Sequence, residues 1–96
     1  MALPKDIAPV SSYAAERSRV EIRAGDELVA WVDLRPGGAS TIIAHTEVVA
    51  GHEGQGLGQV AVRAALEHIA GEGKSVIVVC PFARAVIASN PDLGRA

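Results

Sequence analysis

The segment Glu53-Gly54-Gln55-Gly56-Leu57-Gly58 sets three glycines at alternate positions, where an extended apolar run gives way to a helical pattern. Glycine lets the backbone turn and approach a ligand closely, and the unpaired N–H groups of a following helix point at any anion lying there. That is the chemistry of a phosphate cradle made from main chain. The spacing is G-x-G-x-G, whereas a dinucleotide fingerprint would need its third glycine at Gln59. The other familiar phosphate loop, G-x-x-x-x-G-K-S/T, is half present at Gly73-Lys74-Ser75. Its first glycine would fall at His68, and the run leads from helix into strand, the wrong polarity. A tight turn with a purely structural role is the competing explanation.

Other residues could also do chemistry. On an extended strand Ile43, His45 and Glu47 share a face, so His45 and Glu47 can line one site; solvated strand residues are the alternative. Cys80 directly precedes Pro81, which places its sulfur near a helix N-terminus where the dipole favours thiolate. A buried inert cysteine is the alternative. His52 adjoins the glycine turn and can contact phosphate or lie exposed, while His68 falls at the flank of a helical apolar face. His45-Thr46-Glu47 also begins a zinc-deaminase signature, but that requires P-C-x-x-C, and here the order is Cys80-Pro81 with no second cysteine. No metal site is expected from His45, Glu47, His52 and Cys80 alone.

Composition narrows the classes. Ninety-six residues make one small domain with one core. At 49% hydrophobic and 21% charged the chain is globular, and with three aromatic residues the core must be aliphatic. A net charge of -2 argues against an electrostatically driven nucleic-acid or anionic-membrane binder. A single cysteine excludes an intrachain disulfide framework and suits a reducing compartment. The first dozen residues lack the apolar core of a signal peptide and no stretch reaches membrane-spanning length, so a cytoplasmic setting is expected.

The elements that must position these groups follow from periodicity. Residues 1–18 read as an irregular arm with a short helical turn around Tyr13-Ala14-Ala15-Glu16, and Lys5, Arg17 and Arg19 as solvated charges. Arg19 to Arg23, Glu27 to Leu34, and Ala39 or Ser40 through His45 towards Val49 predict three strands of an antiparallel meander. Ala24-Gly25-Asp26 and Arg35-Pro36-Gly37-Gly38 supply the turns. From Gly56 to about Ala70, Ala61, Val62, Ala65, Leu66 and Ile69 share a helical face opposite Gln59, Arg63 and Glu67, and Gly71 and Gly73 end the helix. Ser75 to Val79 reads as an apolar strand covered on both faces. Pro81 opens a second helix through Ser89, closed by Asn90-Pro91. Trp31 and Tyr13 read as core or arm-docking residues.

His45-Thr46-Glu47-Val48, the Glu53 to Gly58 turn and Cys80-Pro81-Phe82, in that order over about Val20 to Asp92, resemble the compact single-domain branch of the GNAT N-acetyltransferase superfamily. The resemblance implies an α/β fold in the order β-β-β-α-β-α over residues 19–96, with a mostly antiparallel sheet and a splayed strand pair. Acetyl-CoA is then expected in that cleft, its pantetheine arm pairing with the backbone of Val48 and Val49 and its pyrophosphate on the amides of Gly54, Gln55, Gly56, Leu57, Gly58 and Gln59. Superfamily members usually begin the turn with Gln or Arg. Here Glu53 stands, and a carboxylate beside pyrophosphate must point away or cap a neighbouring N–H.

Acetyl transfer to an amine needs a base, an oxyanion donor and a proton for the leaving thiolate. Glu47 with His45 is the candidate base, and Cys80 can accept acetyl or assist the leaving group. The compact family commonly carries Tyr on the last helix, where this chain has Val86. That substitution keeps open a second class, a non-catalytic acyl-CoA-binding or protein-interaction domain on the same scaffold. The implied partners are acetyl-CoA and an amine of a small molecule or peptide, with the chain a monomer or weak homo-oligomer.

Overall fold

The computed structural model describes residues 8–95. Its elements are β1 (Val10–Ala14), a 3-10 turn (Ala15–Arg17), β2 (Arg19–Ala24), β3 (Glu27–Gly37), β4 (Ser40–Val48), α1 (Leu57–Gly71), β5 (Ser75–Val78), α2 (Pro81–Ser89) and a 3-10 turn (Pro91–Arg95). The five strands form one sheet in the order β1-β2-β3-β4-β5, antiparallel except for the parallel β4–β5 pair. Both helices pack on one face, where Ile22, Val32, Ile43, Val62 and Ile69 are sealed from solvent. The core is aliphatic, as composition requires: Tyr13 and Phe82 are exposed and Trp31 is half-buried. Val62, Leu66 and Ile69 each contribute about 1.5–3 kcal/mol by burial, enough to hold α1 on the sheet.

Three expectations are corrected. The arm is not irregular throughout, because Val10–Ala14 pairs antiparallel with β2 and Tyr13 stacks on His68 of α1 at 4.1 Å between ring centroids. Its residues are nearly all exposed, so backbone pairing and not an apolar stripe makes it a strand. Lys5 lies outside the described residues. Arg19 is not a mere solvated charge, since it donates to the Glu21 carboxylate at 2.8 Å and lies 4.5 Å over the Trp31 ring, whereas Arg17 is 58% exposed and reaches Glu21 only at 3.8 Å. Third, β5 is not covered on both faces. It is an edge strand with Val76 and Ile77 exposed, followed by an exposed Val79.

Two register shifts shape the sheet. Leu34 pairs with Ile43 but Asp33 pairs with His45, leaving Ala44 unopposed as a bulge. Likewise Ile22 pairs with Ala30 and Arg23 with Leu28, leaving Val29 unopposed.

Among the described residues no helix covers the other face, and β2 has a carboxylate there, Glu21, only 4% exposed. Burial alone would raise its pKa, but hydrogen bonds from Arg19 and Arg23 outweigh that and hold it below the ordinary carboxylate range. A carboxyl group depressed in the folded state stabilises above its unfolded pKa and loses that contribution as pH falls through its folded one. Removing the buried charge leaves Arg19, itself only 15% exposed, without its counter-ion. Glu21→Gln is therefore expected to cost about 3 kcal/mol in urea unfolding near neutrality, with the deficit shrinking in acid where the wild-type carboxyl is itself protonated.

Candidate active site

The cleft begins at one carbonyl. Strands β4 and β5 pair from Ser40–Ser75 to Ile43–Val78, and the Ile43 oxygen then accepts both the Val79 N–H at 3.0 Å and the Cys80 N–H at 3.1 Å. Beyond it β4 runs on to Val48 while the other chain turns into α2, so the two part company. Val49 donates its N–H to Val29 at 2.9 Å, and its carbonyl accepts from His52 at 3.0 Å. Its main chain is already committed, which corrects the expectation that it offers a backbone edge. Strand alternation turns the N–H and C=O of Val48 the other way, towards the gap left by β5.

The glycine turn faces that gap. Gly54 and Gly56 have φ of 80° and 76°, a left-handed conformation that side chains resist, and Gly56 is the N-cap of α1. The first intrahelical bond runs from Val60 N–H to Gly56 C=O at 3.1 Å, leaving the N–H groups of Leu57, Gly58 and Gln59 without intrahelical acceptors. Glu53 is folded onto its own turn, accepting the Gly51 N–H at 3.0 Å, and backbone hydrogen bonds at Glu53 and Gly51 hold its pKa below the ordinary range. It caps a neighbour, one of the two postures expected of a carboxylate at this position. Gln55 is exposed at the tip of the turn. A hollow of about 280 Å³ opens between Val48, His52, the turn and Phe82.

Gly58 has a different task from the other two. It lies inside α1, and a Cβ there would sit 2.5 Å from Cζ of Phe82. The third glycine lets the first turn of α2 close over the first turn of α1. His52 is also unlike its expectation of exposure, being 4% exposed with Nε2 2.8 Å from Glu27. It ties the turn back to the β2–β3 hairpin.

The catalytic candidates divide between two sides. His45 Nε2 and Glu47 Oε1 are 2.8 Å apart, both solvent-accessible. The bulge at Ala44 breaks the alternation on which a shared face with Ile43 was expected: Ile43 is in the core, and His45 and Glu47 project from the open face with their partners Asp33 and Trp31. Cys80 is on the helix side, 3% exposed, with Sγ 3.5 Å from the Thr46 hydroxyl. The structure thus brings His45 to Glu47, and Cys80 to Thr46, on opposite sides of the β4 edge. Burial would raise the Cys80 pKa, but the Thr46 hydroxyl and the backbone N–H groups of Ala83 and Phe82 outweigh it and lower the thiol below its ordinary value. Thr46 and Phe82 had no role assigned from sequence; the alternation that marks Thr46 becomes legible only once the bulge is placed. Val86 is buried in the core, so α2 offers no acid there.

A sequence profile of the GCN5-related N-acetyltransferase family matches residues 19–96, most of the chain. The protein belongs to that family, whose chemistry is acyl transfer, and its mixed five-stranded sheet with two helices is consistent with the fold. Among curated proteins none matches the chain.

Two outcomes test this geometry. Thr46→Val is expected to raise the midpoint of Cys80 ionisation, followed by thiolate ultraviolet absorbance against pH; an unmoved midpoint would show that the hydroxyl does not bear on the sulfur. Gly58→Ala is expected to destabilise, and the loss to be recovered in part in a Phe82→Ala background, with a coupling of about 1 kcal/mol.

Proposed function

We propose that this protein transfers the acetyl group of acetyl-CoA to an amine. The observation that carries the proposal is the divergence of β4 and β5 directly opposite a helix N-terminus whose preceding turn is built from left-handed glycines. A helix N-terminus favours an anion by about 0.3–1 kcal/mol, rising to about 2 kcal/mol when partly buried, and amide hydrogen bonds add to it. The pyrophosphate rests on the N–H groups of Leu57, Gly58 and Gln59, with Gly54 and Gly56 leaving room for its approach. The pantetheine arm pairs with the main chain of Val48, which brings the thioester to the apex of the gap, beside Thr46 and Cys80.

The amine arrives from the open face. Its nitrogen bonds to the thioester carbonyl carbon, its proton passes to the His45–Glu47 pair, and the carbon–sulfur bond breaks as the tetrahedral intermediate collapses. The departing CoA thiolate takes the Cys80 proton. Cys80 regains its proton from solvent. A domain that only bound acyl-CoA would have no use for a hydrogen-bonded His45–Glu47 pair beside the gap. The lone thiol supports a cytoplasmic setting.

Calorimetry with acetyl-CoA tests the cofactor, and indifference of the folded chain would end the proposal. A Cβ at Gly56 meets nothing in the chain itself, so Gly56→Ala carries only the left-handed strain, about 1 kcal/mol, together with an affinity loss of about tenfold as the methyl enters the phosphate approach. Glu47→Gln is expected to lower kcat by about 10²–10³ while leaving acetyl-CoA affinity near wild type. Intact mass after incubation with acetyl-CoA checks the role of the sulfur: acetyl retained on Cys80 would make it a nucleophile and not a proton donor.

A further inference from the structure

The open face of the sheet carries a charge pattern that the transfer chemistry alone does not use. Asp33 is the cross-strand partner of His45, one strand away from the His45–Glu47 pair. Beside it lies a hollow of about 460 Å³ lined by Asp33, Arg17 and Arg35 among others. Arg17 is 58% exposed and reaches Glu21 only at 3.8 Å, while Arg19 and Arg23 already satisfy that carboxylate at 2.8 and 3.0 Å. Arg35 is exposed and its side chain has no hydrogen bond or ion pair among the described residues, and the same holds for the side chain of Asp33, which is half-buried. One uncommitted guanidinium group, a second held only by a long ion pair, and one uncommitted carboxylate therefore border a single concavity, with the negative end nearest the proposed base.

Such a bipolar hollow is complementary to a zwitterion. Guanidinium groups take a planar carboxylate through paired, charge-assisted hydrogen bonds, and a half-buried carboxylate favours an ammonium. One strand spacing across and two residues along separate His45 from Arg35, about 8 Å between backbone positions.

We propose that the acceptor is an amine that also carries a carboxylate, its two charges separated by about the length of a lysine side chain. Its carboxylate sits between Arg17 and Arg35, and its ammonium rests on Asp33 beside the His45–Glu47 pair, which takes one proton to free the amine, passes it to solvent, and takes the second as the carbon–nitrogen bond forms. Free lysine through its side-chain amine and a dipeptide through its N-terminus both have this form. A polyamine does not, because its second cation would meet the two arginines. The assignment rests on the acetyl-transfer reading and narrows its acceptor.

The test is initial-rate kinetics of the full chain with acetyl-CoA and matched acceptors: lysine against lysinamide, glycylglycine against its amide, and spermidine. Each carboxylated member is expected to have a kcat/KM about tenfold above its amide, chiefly through KM, as a lost charge-assisted pair would give. Arg35→Gln and Arg17→Gln should each shrink that ratio by raising KM for the carboxylated member, and the double variant should bring it close to one. Arg63→Gln, which removes an equal charge from the outer face of α1, should leave the ratio as in wild type. Unchanged thermal unfolding of Arg35→Gln, expected for an exposed side chain without a partner, separates lost recognition from lost fold. Equal rates for the two members of each pair, or turnover confined to spermidine, would overturn the acceptor class and leave acetyl transfer standing. An absence of any turnover in a chain that binds acetyl-CoA would overturn the acceptor class without supporting transfer, and a chain that fails to bind acetyl-CoA would bring down the parent reading as well.

Discussion

The Ile43 carbonyl accepts two consecutive N–H groups, and the rest of the site depends on that shared acceptor. A parallel ladder spaces its bonds evenly, with every second residue facing the neighbour, so a single oxygen serving both Val79 and Cys80 marks the point where the ladder stops advancing. The chain is then released from the sheet just before Pro81, whose fixed φ and missing N–H suit the first position of α2. Cys80 becomes the N-cap of that helix and is carried against Thr46. On the other strand, the very next residue, Ala44, is the bulge that turns His45 and Glu47 away from the core. One acceptor and one extra residue thus open the gap and sort the reactive side chains to its two sides.

Much of this architecture is legible in the chain itself. The apolar stripe from Ala61 to Ile69 fixes α1, and Pro81 with Asn90-Pro91 brackets α2 to the residue. The three central strands follow from their alternation. What escapes has physical reasons. Val10–Ala14 buries no apolar row and is a strand only because β2 offers it an edge. Val76-Ile77-Val78-Val79 looks like an interior strand because it is wholly apolar, yet composition cannot say that it lies last in the sheet. The bulge at Ala44 has neither glycine nor proline to announce it, and a single unopposed residue inverts every later side chain in β4. The glycine turn is readable as a turn, but the split between two left-handed glycines and one that makes room for Phe82 exists only in three dimensions.

The uncovered face shows how a small sheet does without a second helical layer. Glu21 would be intolerable in an apolar setting, and on a bare sheet it would be solvated; here Arg19 and Arg23 lie over it and Trp31 supports Arg19. The lattice shields the β2–β3 backbone with polar groups that satisfy one another, so this face stays wettable and level. Bulk is spent only on the helical side, where the aliphatic core requires it. That leaves His45, Glu47 and Asp33 within reach of molecules arriving from solution.

The crossover from β4 to β5 has a temporal consequence. Ser40 and Ser75, whose hydroxyl oxygens meet at 2.6 Å, are 35 positions apart, whereas β1 to β4 follow one another as neighbours. Contacts between near neighbours close short loops, and the distant pair must wait until α1 has folded back across the sheet. The margin that completes the gap is therefore assembled late and, being a four-residue edge, released early. Any molecule lodged there acts as a clasp on a short edge seam of the domain, coupling occupancy to the survival of the native chain.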